Sequence, residues 1–233
     1  MMNPIDFSVF EKKINATFKN KNLLKQAFTH RSYINEHSRE GLSHNERMEF
    51  LGDAVLELVV TEYLFKKYPQ KTEGDLTAYR AALVNTTTLS NTAQEIGMND
   101  YLLLSRGERK DKGRARQYIL ANTFEALIGA LYLDQEYDKA AQFIAEYLFP
   151  QLENIVAERL WQDAKSKFQE KAQEVDNITP NYKVLEESGP DHDKIFVVGV
   201  FLNDTLIAQG EGASKQNAEQ HAAQSALKER KWE

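Results

Sequence analysis

The sequence has no cysteine, no long apolar run and no surplus of positive charge. Among its 233 residues, the absence of cysteine excludes disulfides, zinc-thiolate sites and cysteine nucleophiles. No segment approaches the roughly 18 apolar residues of a membrane-spanning helix, and the amino terminus lacks a signal-peptide pattern. We therefore expect a cytoplasmic protein that has no membrane partner.

The net charge is negative, because 29 Lys and Arg stand against 35 Asp and Glu, which gives −6. Taken alone, this balance disfavours a polyanionic partner such as nucleic acid. Charge can nevertheless be arranged in patches, and carboxylates that cluster around metal ions make the sum negative without altering a binding surface. Composition therefore leaves the function open.

The apolar pattern changes character near residue 160. Spacings of three and four residues at 51–64, 77–95 and 119–133 predict helices, and the charged segment 106–116 predicts a loop. Farther along, the pattern predicts a helix at 164–175, strands at 182–187, 194–202 and 205–212, and a helix at 214–230. We predict an all-α domain over residues 1–160 and a small α+β domain, ordered α-β-β-β-α, over residues 162–233.

Two predicted helices carry acidic or amide side chains at helical spacing. Glu46, Glu49 and Asp53 stand at i, i+3 and i+7, and Asn122 and Glu125 stand at i and i+3. If these helices cross, the oxygens form a pocket suited to Mg²⁺ or Mn²⁺ rather than zinc or copper. Such ions can drive in-line phosphodiester cleavage. A solvated helix face is the alternative, and the spacing alone favours it.

The segment ERMEFLGDAVL at residues 46–56 resembles the signature of ribonuclease III. Further blocks resemble that family in the same order: FTHRSY (28–33), EGDL (73–76), RAALVN (80–85), GE (107–108), ILA (119–121) and EALIGA (125–130). The resemblance implies a Mg²⁺-dependent endonuclease for double-stranded RNA, with Mn²⁺ able to substitute and no organic cofactor. It further implies 5′-phosphate and 3′-hydroxyl products with short 3′ overhangs, made from precursors of ribosomal, messenger and transfer RNA.

The same resemblance assigns roles to the acidic residues. It places Glu49, Asn122, Glu125 and Asp53 at metal-binding positions, and Asp53, Glu125 and Glu46 at catalytic positions. The family usually has Asp where this chain has Asn122, so the site loses a formal charge but keeps a side-chain oxygen. We expect a higher metal requirement as a result.

Two neighbours of these acids on the same helix are assigned differently. Family members act as homodimers, and Phe50 matches a position at the dimer contact; an ordinary place in the core is the alternative. Glu57 continues the acidic face by one turn, and we assign it to the surface.

The segments EESGPDH (186–192) and GEGASKQNAE (210–219) resemble the double-stranded-RNA-binding domain. Such domains recognise the shape of an A-form duplex. The resemblance implies minor-groove contacts from Gln169, Glu170 and the loop with His192, and phosphate contacts from Lys215 and Gln216. Residues 163–233 hold nine basic and thirteen acidic residues, so binding by this domain alone is expected to be weak and salt-sensitive.

A cluster of basic residues precedes the second acidic helix, and it is either a solvated loop or a contact for phosphates. Its members are Arg106, Arg109, Lys110, Lys112, Arg114 and Arg116.

Two alternative functions stay open at this point. A non-catalytic protein that binds and shields RNA duplexes is made conceivable by Asn122. A metal-dependent nuclease for structured DNA is disfavoured, since the second domain would read 2′-hydroxyls. Cleavage of an RNA duplex in Mg²⁺, and competition between RNA and DNA duplexes, would distinguish these functions.

Overall fold

A computed structural model of the chain describes residues 5–38, 41–110, 113–157, 164–190 and 194–232. Its internal contacts divide the chain into two units, Met1–Trp161 and Gln162–Glu233. In the described part of the chain, no helix combines the length and the apolar content that crossing a membrane requires.

The first unit is helical throughout its described elements, which confirms the all-α prediction. The elements are α1 (Phe7–Lys13), α2 (Lys21–Ala27), α3 (Arg31–Glu36), α4 (Glu46–Lys67), α5 (Glu73–Leu83), α6 (Thr86–Glu95), a short 3-10 helix (Met98–Tyr101), α7 (Arg114–Tyr147) and α8 (Phe149–Ala157). Helix α7 begins inside the segment predicted as a loop, so residues 114–116 are helical.

Helices α4 and α7 form the centre of the first core. Leu56 and Leu64 of α4 and Phe124 and Leu127 of α7 are buried almost completely. Full burial of one such side chain contributes about 1.5–3 kcal/mol relative to exposure. The apolar periodicity read from the sequence therefore faces the core, and the polar positions between those residues remain available for chemistry.

The helix predicted over residues 77–95 is two helices, and the cause is local capping. The Asn85 side chain accepts a hydrogen bond from Thr88 N at 2.9 Å, which starts α6 and ends the preceding run. Helix α5 begins earlier than predicted, where Thr72 and Asp75 form a reciprocal capping box. Short polar caps redirect the chain within a continuous apolar pattern.

Helix α7 is interrupted at Glu136, which has φ 66° and ψ −169°. This combination is essentially restricted to glycine and costs on the order of 1–3 kcal/mol for other residues. Nearby, Tyr137 Oη donates to Glu62 Oε2 at 2.6 Å, so the segment after the break is bonded to α4. The strained residue therefore lies between two helical stretches that pack on the same core.

Three consecutive backbone amides before α2 are bound by two carboxylates. Phe18 N donates to the buried Glu11 at 2.7 Å, while Lys19 N and Asn20 N donate to Asp134 at 2.7 and 2.8 Å. Glu11 also pairs with Lys21 at 2.6 Å. The amino-terminal segment is thereby attached to α7 by hydrogen bonds rather than by apolar packing alone.

The second unit has the predicted α-β-β-β-α order. It consists of α9 (Ala164–Asp176), β1 (Asn181–Ser188), β2 (Ile195–Leu202), β3 (Thr205–Gly212) and α10 (Lys215–Glu229). The strands form an antiparallel sheet in the order β1-β2-β3. Val200 and Leu202 of β2 are buried with Phe168 of α9 and with alanines of α10, which makes a second, separate core.

Candidate active site

Helices α4 and α7 cross with their backbones in direct contact, because both helices carry glycine at the crossing. A Cβ atom on Gly52 would overlap the carbonyl of Glu125 and lie 2.8 Å from Gly129 N. A Cβ atom on Gly129 would in turn overlap the carbonyl of Met48. Only glycine fits at either position. Neither glycine was assigned a role from the sequence, although glycine inside a helix, unfavourable by about 1 kcal/mol against alanine, is a usable signal.

The close crossing brings together four of the predicted site residues. Glu49 and Asp53 flank Gly52 on α4, and Asn122 and Glu125 precede Gly129 on α7. The Asn122 side chain is hydrogen-bonded to Glu49, and the charges of Asp53 and Glu49 both act on Glu125. Glu49 and Glu125 are therefore partly buried and interact across the two helices, whereas Asp53 is exposed and acts on Glu125 through its charge.

Burial and mutual repulsion act on the two partly buried acids of this cluster. Burial, followed by repulsion from Asp53 and Glu49, raises the pKa of Glu125 to about 8. Burial also raises the pKa of Glu49, with contributions from the charges of Glu46 and Asp53, whereas the hydrogen bond from Asn122 lowers it. Each shift opposes the ionised form, so a bound cation would relieve it.

The donor set suits Mg²⁺, although the acids do not already converge on one point. In the described ranges, no three Asp, Glu, His or Cys side chains are arranged to hold an ion as they stand. Mg²⁺ keeps several water ligands and binds through one or two carboxylates, so it does not need a closed protein cage. Glu49, Asp53 and Glu125 supply carboxylate oxygens, and Asn122 supplies an amide oxygen.

Glu46 lies at the edge of this cluster and has Arg31 and His44 as neighbours. Its Oε1 is 3.3 Å from Arg31 Nη1, and its Oε2 is 3.7 Å from His44 Nδ1. Its charge acts on Glu49. Neither Arg31 nor His44 was assigned a role from the sequence, and the fold brings Arg31 to Glu46 from a separate helix.

The basic cluster before α7 divides into structural and exposed members. Arg109 Nε donates to Leu104 O at 3.3 Å, and Arg116 donates to Glu108 O at 2.7 Å and to Asn99 at 3.0 Å. These two arginines shape the loop. The exposed members are Arg106, Lys110 and Arg114, while Lys112 lies outside the described residues.

Phe50 points away from the core, with 81% of its surface exposed. The core alternative for this residue is therefore wrong. Leu58 and Phe65 are also exposed, at 58% and 71%. The spacings of four, four, three and four residues from Phe50 through Ala54, Leu58 and Thr61 to Phe65 place these side chains in one stripe. We call these five residues the α4 stripe.

The second unit exposes most of its predicted RNA-binding residues. Gln169 and Glu170 are exposed on α9, and Lys215 and Gln216 are exposed in the first turn of α10. Ser214 caps α10 by accepting a hydrogen bond from Asn217 N at 3.2 Å. His192 lies outside the described residues.

Helix α10 lies close against β3 because glycine stands in the strand. A Cβ atom on Gly210 would overlap backbone atoms of Ala218 and Ala222. This close approach fixes the amino-terminal end of α10, with its free backbone amides, relative to the sheet. The end of the helix is thus a fixed feature that can meet phosphate groups.

Comparisons with known proteins agree with both units. Residues 20–152 match the family model described as ribonuclease-III-like, and residues 164–230 match the double-stranded RNA binding motif. Ribonuclease 3 of Geobacillus thermodenitrificans (strain NG80-2) is 48% identical over 95% of this chain and 89% of that protein. Ribonuclease 3 of Enterococcus faecalis (strain ATCC 700802 / V583) is 46% identical, with 91% of each chain covered.

A solved structure gives the same assignment for the first unit. The nuclease domain of ribonuclease III from Campylobacter jejuni, described for flexibility in a region involved in dimer formation, has a TM-score of 0.57 and 38% identity. The similarity covers 62% of this chain and 99% of that domain. From the acidic helix crossing, the α-β-β-β-α unit and these matches along nearly the whole sequence, the chain belongs to the ribonuclease III family of double-stranded-RNA endoribonucleases.

Proposed function

We propose that the crossing of α4 and α7 is a Mg²⁺-dependent active site at which double-stranded RNA is hydrolysed. The observation that carries the proposal is the group formed by the partly buried Glu49, Asn122 and Glu125 and the exposed Asp53, in which burial and then repulsion from Asp53 and Glu49 raise the pKa of Glu125 to about 8. A cation bound there would remove the cost of ionising these acids. The double-stranded RNA binding motif of the second unit supports the choice of substrate.

Glu49 and Glu125 are the proposed Mg²⁺ ligands, and Mn²⁺ should substitute because it accepts the same oxygens. Asn122 holds Glu49 through its side-chain hydrogen bond and offers its own oxygen to the ion. When bound, Mg²⁺ lowers the pKa of a ligand water and neutralises charge that develops on the phosphate.

Asp53 and Glu125 are proposed to orient the attacking water. The water oxygen forms a bond to phosphorus, and the bond from phosphorus to the 3′ oxygen breaks. The 3′ oxygen takes up a proton, so the products carry a 5′-phosphate and a 3′-hydroxyl. Glu125 belongs to both assignments because it is the most buried acid of the group and interacts with both acids of α4.

The second unit is proposed to hold the duplex. Lys215 and Gln216 would meet phosphates at the end of α10, where backbone amides and the helix dipole favour anions. Gln169 and Glu170, together with His192, would contact the minor groove, whose 2′-hydroxyls distinguish RNA from DNA. The exposure of the four described residues is compatible with these roles.

A homodimer is proposed through the α4 stripe. Phe50, Leu58 and Phe65 expose a connected apolar surface that water disfavours. Next to Phe65, a cleft of about 420 Å³ lies between α4 and α5, with Leu64 and Leu76 in its wall. A side chain of a second copy, such as its Phe50, would fill this cleft. Two active sites in one dimer would cut the two strands and leave short 3′ overhangs.

The expected substrates are duplex regions in precursors of ribosomal RNA and of some messenger and transfer RNAs. These are made in the cytoplasm, which is the proposed place of action. Shape-based recognition of the A-form duplex is compatible with a range of transcripts.

The test is cleavage of an end-labelled RNA duplex of about 30–40 base pairs, which spans two of the 16-base-pair sites that such domains recognise. The wild-type chain should cut in Mg²⁺ or Mn²⁺ but not in Ca²⁺, and Glu125→Gln should abolish cutting while RNA binding persists. Glu57→Gln is the matched control, because Glu57 lies on the same helix but pairs with Arg80 at 3.4 Å. It should cut at nearly the wild-type rate.

Two results would contradict the proposal. Binding without cutting in every metal tried would make the chain an RNA-shielding protein and would implicate Asn122. Equal loss of cutting in Glu57→Gln and Glu125→Gln would mean that the general acidity of α4, and not the helix crossing, supports the reaction.

A further inference from the structure

Glu46 differs from the other acids of the active site in what surrounds it. One of its carboxylate oxygens lies 3.3 Å from Arg31 Nη1, and the other lies 3.7 Å from His44 Nδ1. Glu49, in contrast, is hydrogen-bonded to Asn122, and Glu125 responds to Asp53 and Glu49. A carboxylate that is already paired with a guanidinium has less need of a metal ion than its neighbours in the site.

The positions of Arg31 and Glu46 are set by backbone hydrogen bonds. Asn45, which is 3% exposed, donates from its side chain to Ala27 O at 3.0 Å and from its backbone to Thr29 O at 2.9 Å. His30 N donates to Leu103 O at 3.1 Å. His30 and Asn45, the residues directly before Arg31 and Glu46, are therefore held in the same region of the fold by hydrogen bonds. This arrangement places Arg31 beside Glu46.

Arg31 keeps most of its hydrogen-bonding capacity. Its side chain is 69% exposed, and one of its terminal nitrogens faces Glu46. A guanidinium group has five N–H donors in a planar fork that matches the oxygens of a phosphate. The ion pair with Glu46 already restricts the rotamers of Arg31, so less side-chain entropy is lost when Arg31 binds a phosphate.

Arg31 also adjoins the start of the basic loop. Ser32 Oγ, on the residue after Arg31, accepts a hydrogen bond from Ser105 N at 3.1 Å. Arg106 N donates in turn to the carboxylate of Glu36, at the end of α3, at 3.2 Å. The exposed Arg106 is therefore held against α3, the helix that begins at Arg31.

We propose that Arg31 binds the RNA backbone beside the cleaved phosphate, and that Glu46 is a positioning residue that holds Arg31 rather than a metal ligand. The proposal rests on the proposed function, because it presupposes that RNA lies across the crossing of α4 and α7. It changes the role that family resemblance implied for Glu46 from catalysis to substrate positioning.

The experiment compares Arg31→Ala, Arg31→Lys, Glu46→Gln and the double variant Arg31→Ala/Glu46→Gln in the full-length chain. Duplex RNA binding is measured at several salt concentrations with Glu125→Gln present in each protein, so that no cutting occurs. Turnover at saturating RNA and the Mg²⁺ midpoint are measured without that change. Lys12→Ala, which removes an exposed cation of α1, is the charge-matched control.

Arg31→Ala should raise Kd about fivefold and reduce the slope of log K against log salt by about one, as loss of a phosphate contact does. Turnover at saturating RNA and the Mg²⁺ midpoint should stay within about twofold of wild type. The variant loses a contact that stabilises the substrate and the transition state equally, and it keeps its affinity for metal. Arg31→Lys should recover the salt slope. Glu46→Gln should raise Kd less than Arg31→Ala and should add nothing in the double variant.

Two outcomes would overturn the inference. Glu46 belongs to the metal site if Glu46→Gln raises the Mg²⁺ midpoint or strongly lowers turnover at saturating RNA, and does so both in the wild-type protein and in the Arg31→Ala protein. If Arg31→Ala binds RNA like Lys12→Ala, with an unchanged salt slope, Arg31 does not contact RNA. Failure of the proposed function has another signature, namely absence of cutting by the wild-type chain, and the binding measurements do not depend on it.

Discussion

Gly52 and Gly129 meet backbone to backbone, with Gly129 N 2.8 Å from the position that a Cβ atom of Gly52 would occupy. The proposed active site is therefore arranged by two residues that have no side chains. Because neither glycine has a side chain, α4 and α7 approach closely enough for acids on one helix to act on those of the other.

Gly52→Ala should destabilise the first unit and inactivate the enzyme. The added methyl group overlaps the Glu125 carbonyl, so the helices must separate, at a cost of about 1–3 kcal/mol despite the better helix propensity of alanine. Urea denaturation and the duplex cleavage assay measure the two effects. Gly74→Ala is the control, because the nearest atom to its new methyl group is 3.9 Å away. Wild-type stability and activity in Gly52→Ala would show that the helices separate at no cost.

Phe50→Glu should convert a dimer into monomers. Phe50 is 81% exposed on the α4 stripe, and a charge there would be buried without a partner in the proposed interface. Sedimentation velocity gives the mass of the species in solution. Tyr118→Glu is the control, since Tyr118 is 53% exposed on α7 and lies outside the stripe. An unchanged mass for Phe50→Glu would place the interface elsewhere.

Without metal, the stability of the first unit should decrease as the pH rises from about 4.5 to about 8. The pKa of Glu125 is raised from 4.5 to about 8 in the folded protein, so the folded state binds more protons in this window than the unfolded state. The stability that Glu125 contributes is therefore fully present below about pH 4.5 and is lost above about pH 8.

The effect is measured as the difference in Tm between wild type and Glu125→Gln in EDTA, which cancels the titration of other groups such as His30. Glu125→Gln should become the more stable protein by a few degrees, on the order of 2–4 °C per kcal/mol, toward pH 8. Mg²⁺ should reverse that order by binding the folded wild type. A difference in Tm that does not vary with pH would show that Glu125 ionises normally.

Asn122→Asp should lower the Mg²⁺ concentration needed for half-maximal cleavage and decrease stability in EDTA. The change adds a carboxylate to the cluster and removes the hydrogen bond that lowers the pKa of Glu49. Asn91→Asp, the same chemical change at an exposed position of α6, is the control. An unaltered Mg²⁺ dependence would exclude Asn122 from the metal site.

Glu136→Gly should stabilise the first unit by about 1 kcal/mol. The φ of 66° and ψ of −169° at Glu136 are unfavourable for a residue with a Cβ atom, and the relief exceeds the entropy that glycine adds to the unfolded chain. Thermal unfolding of Glu136→Gly and Glu136→Ala separates the two contributions, because alanine keeps the strain. Equal Tm values for the two variants would mean that the backbone relaxes at this position.

Apolar periodicity predicted the class and order of the elements well, since Leu56 and Phe124 must face a core wherever the helices lie. It could not show the boundary at Asn85, because one side-chain hydrogen bond, and not a change in periodicity, ends one helix and starts the next. The strain at Glu136 was equally hidden, because a charged residue in a helical pattern gives no sign of a left-handed backbone.

At the site, spacing and family resemblance identified the acids, and the structure brings Glu49, Asp53 and Glu125 together with Asn122. What determines their approach was not predicted, because a glycine pair acts only when two helices meet. Arg31 and Glu46 likewise become partners through hydrogen bonds from residues far apart in the chain.

The carboxylate of Asp134 has a consequence for the order of events during synthesis. Lys19 N and Asn20 N find their acceptor 115 and 114 residues farther along the chain. At about 5–20 residues per second, the ribosome needs on the order of ten seconds to add that length. Until then these two amides are hydrated, and the segment before α2 cannot complete its hydrogen bonds by itself. This segment therefore reaches its final conformation only long after it has been synthesised.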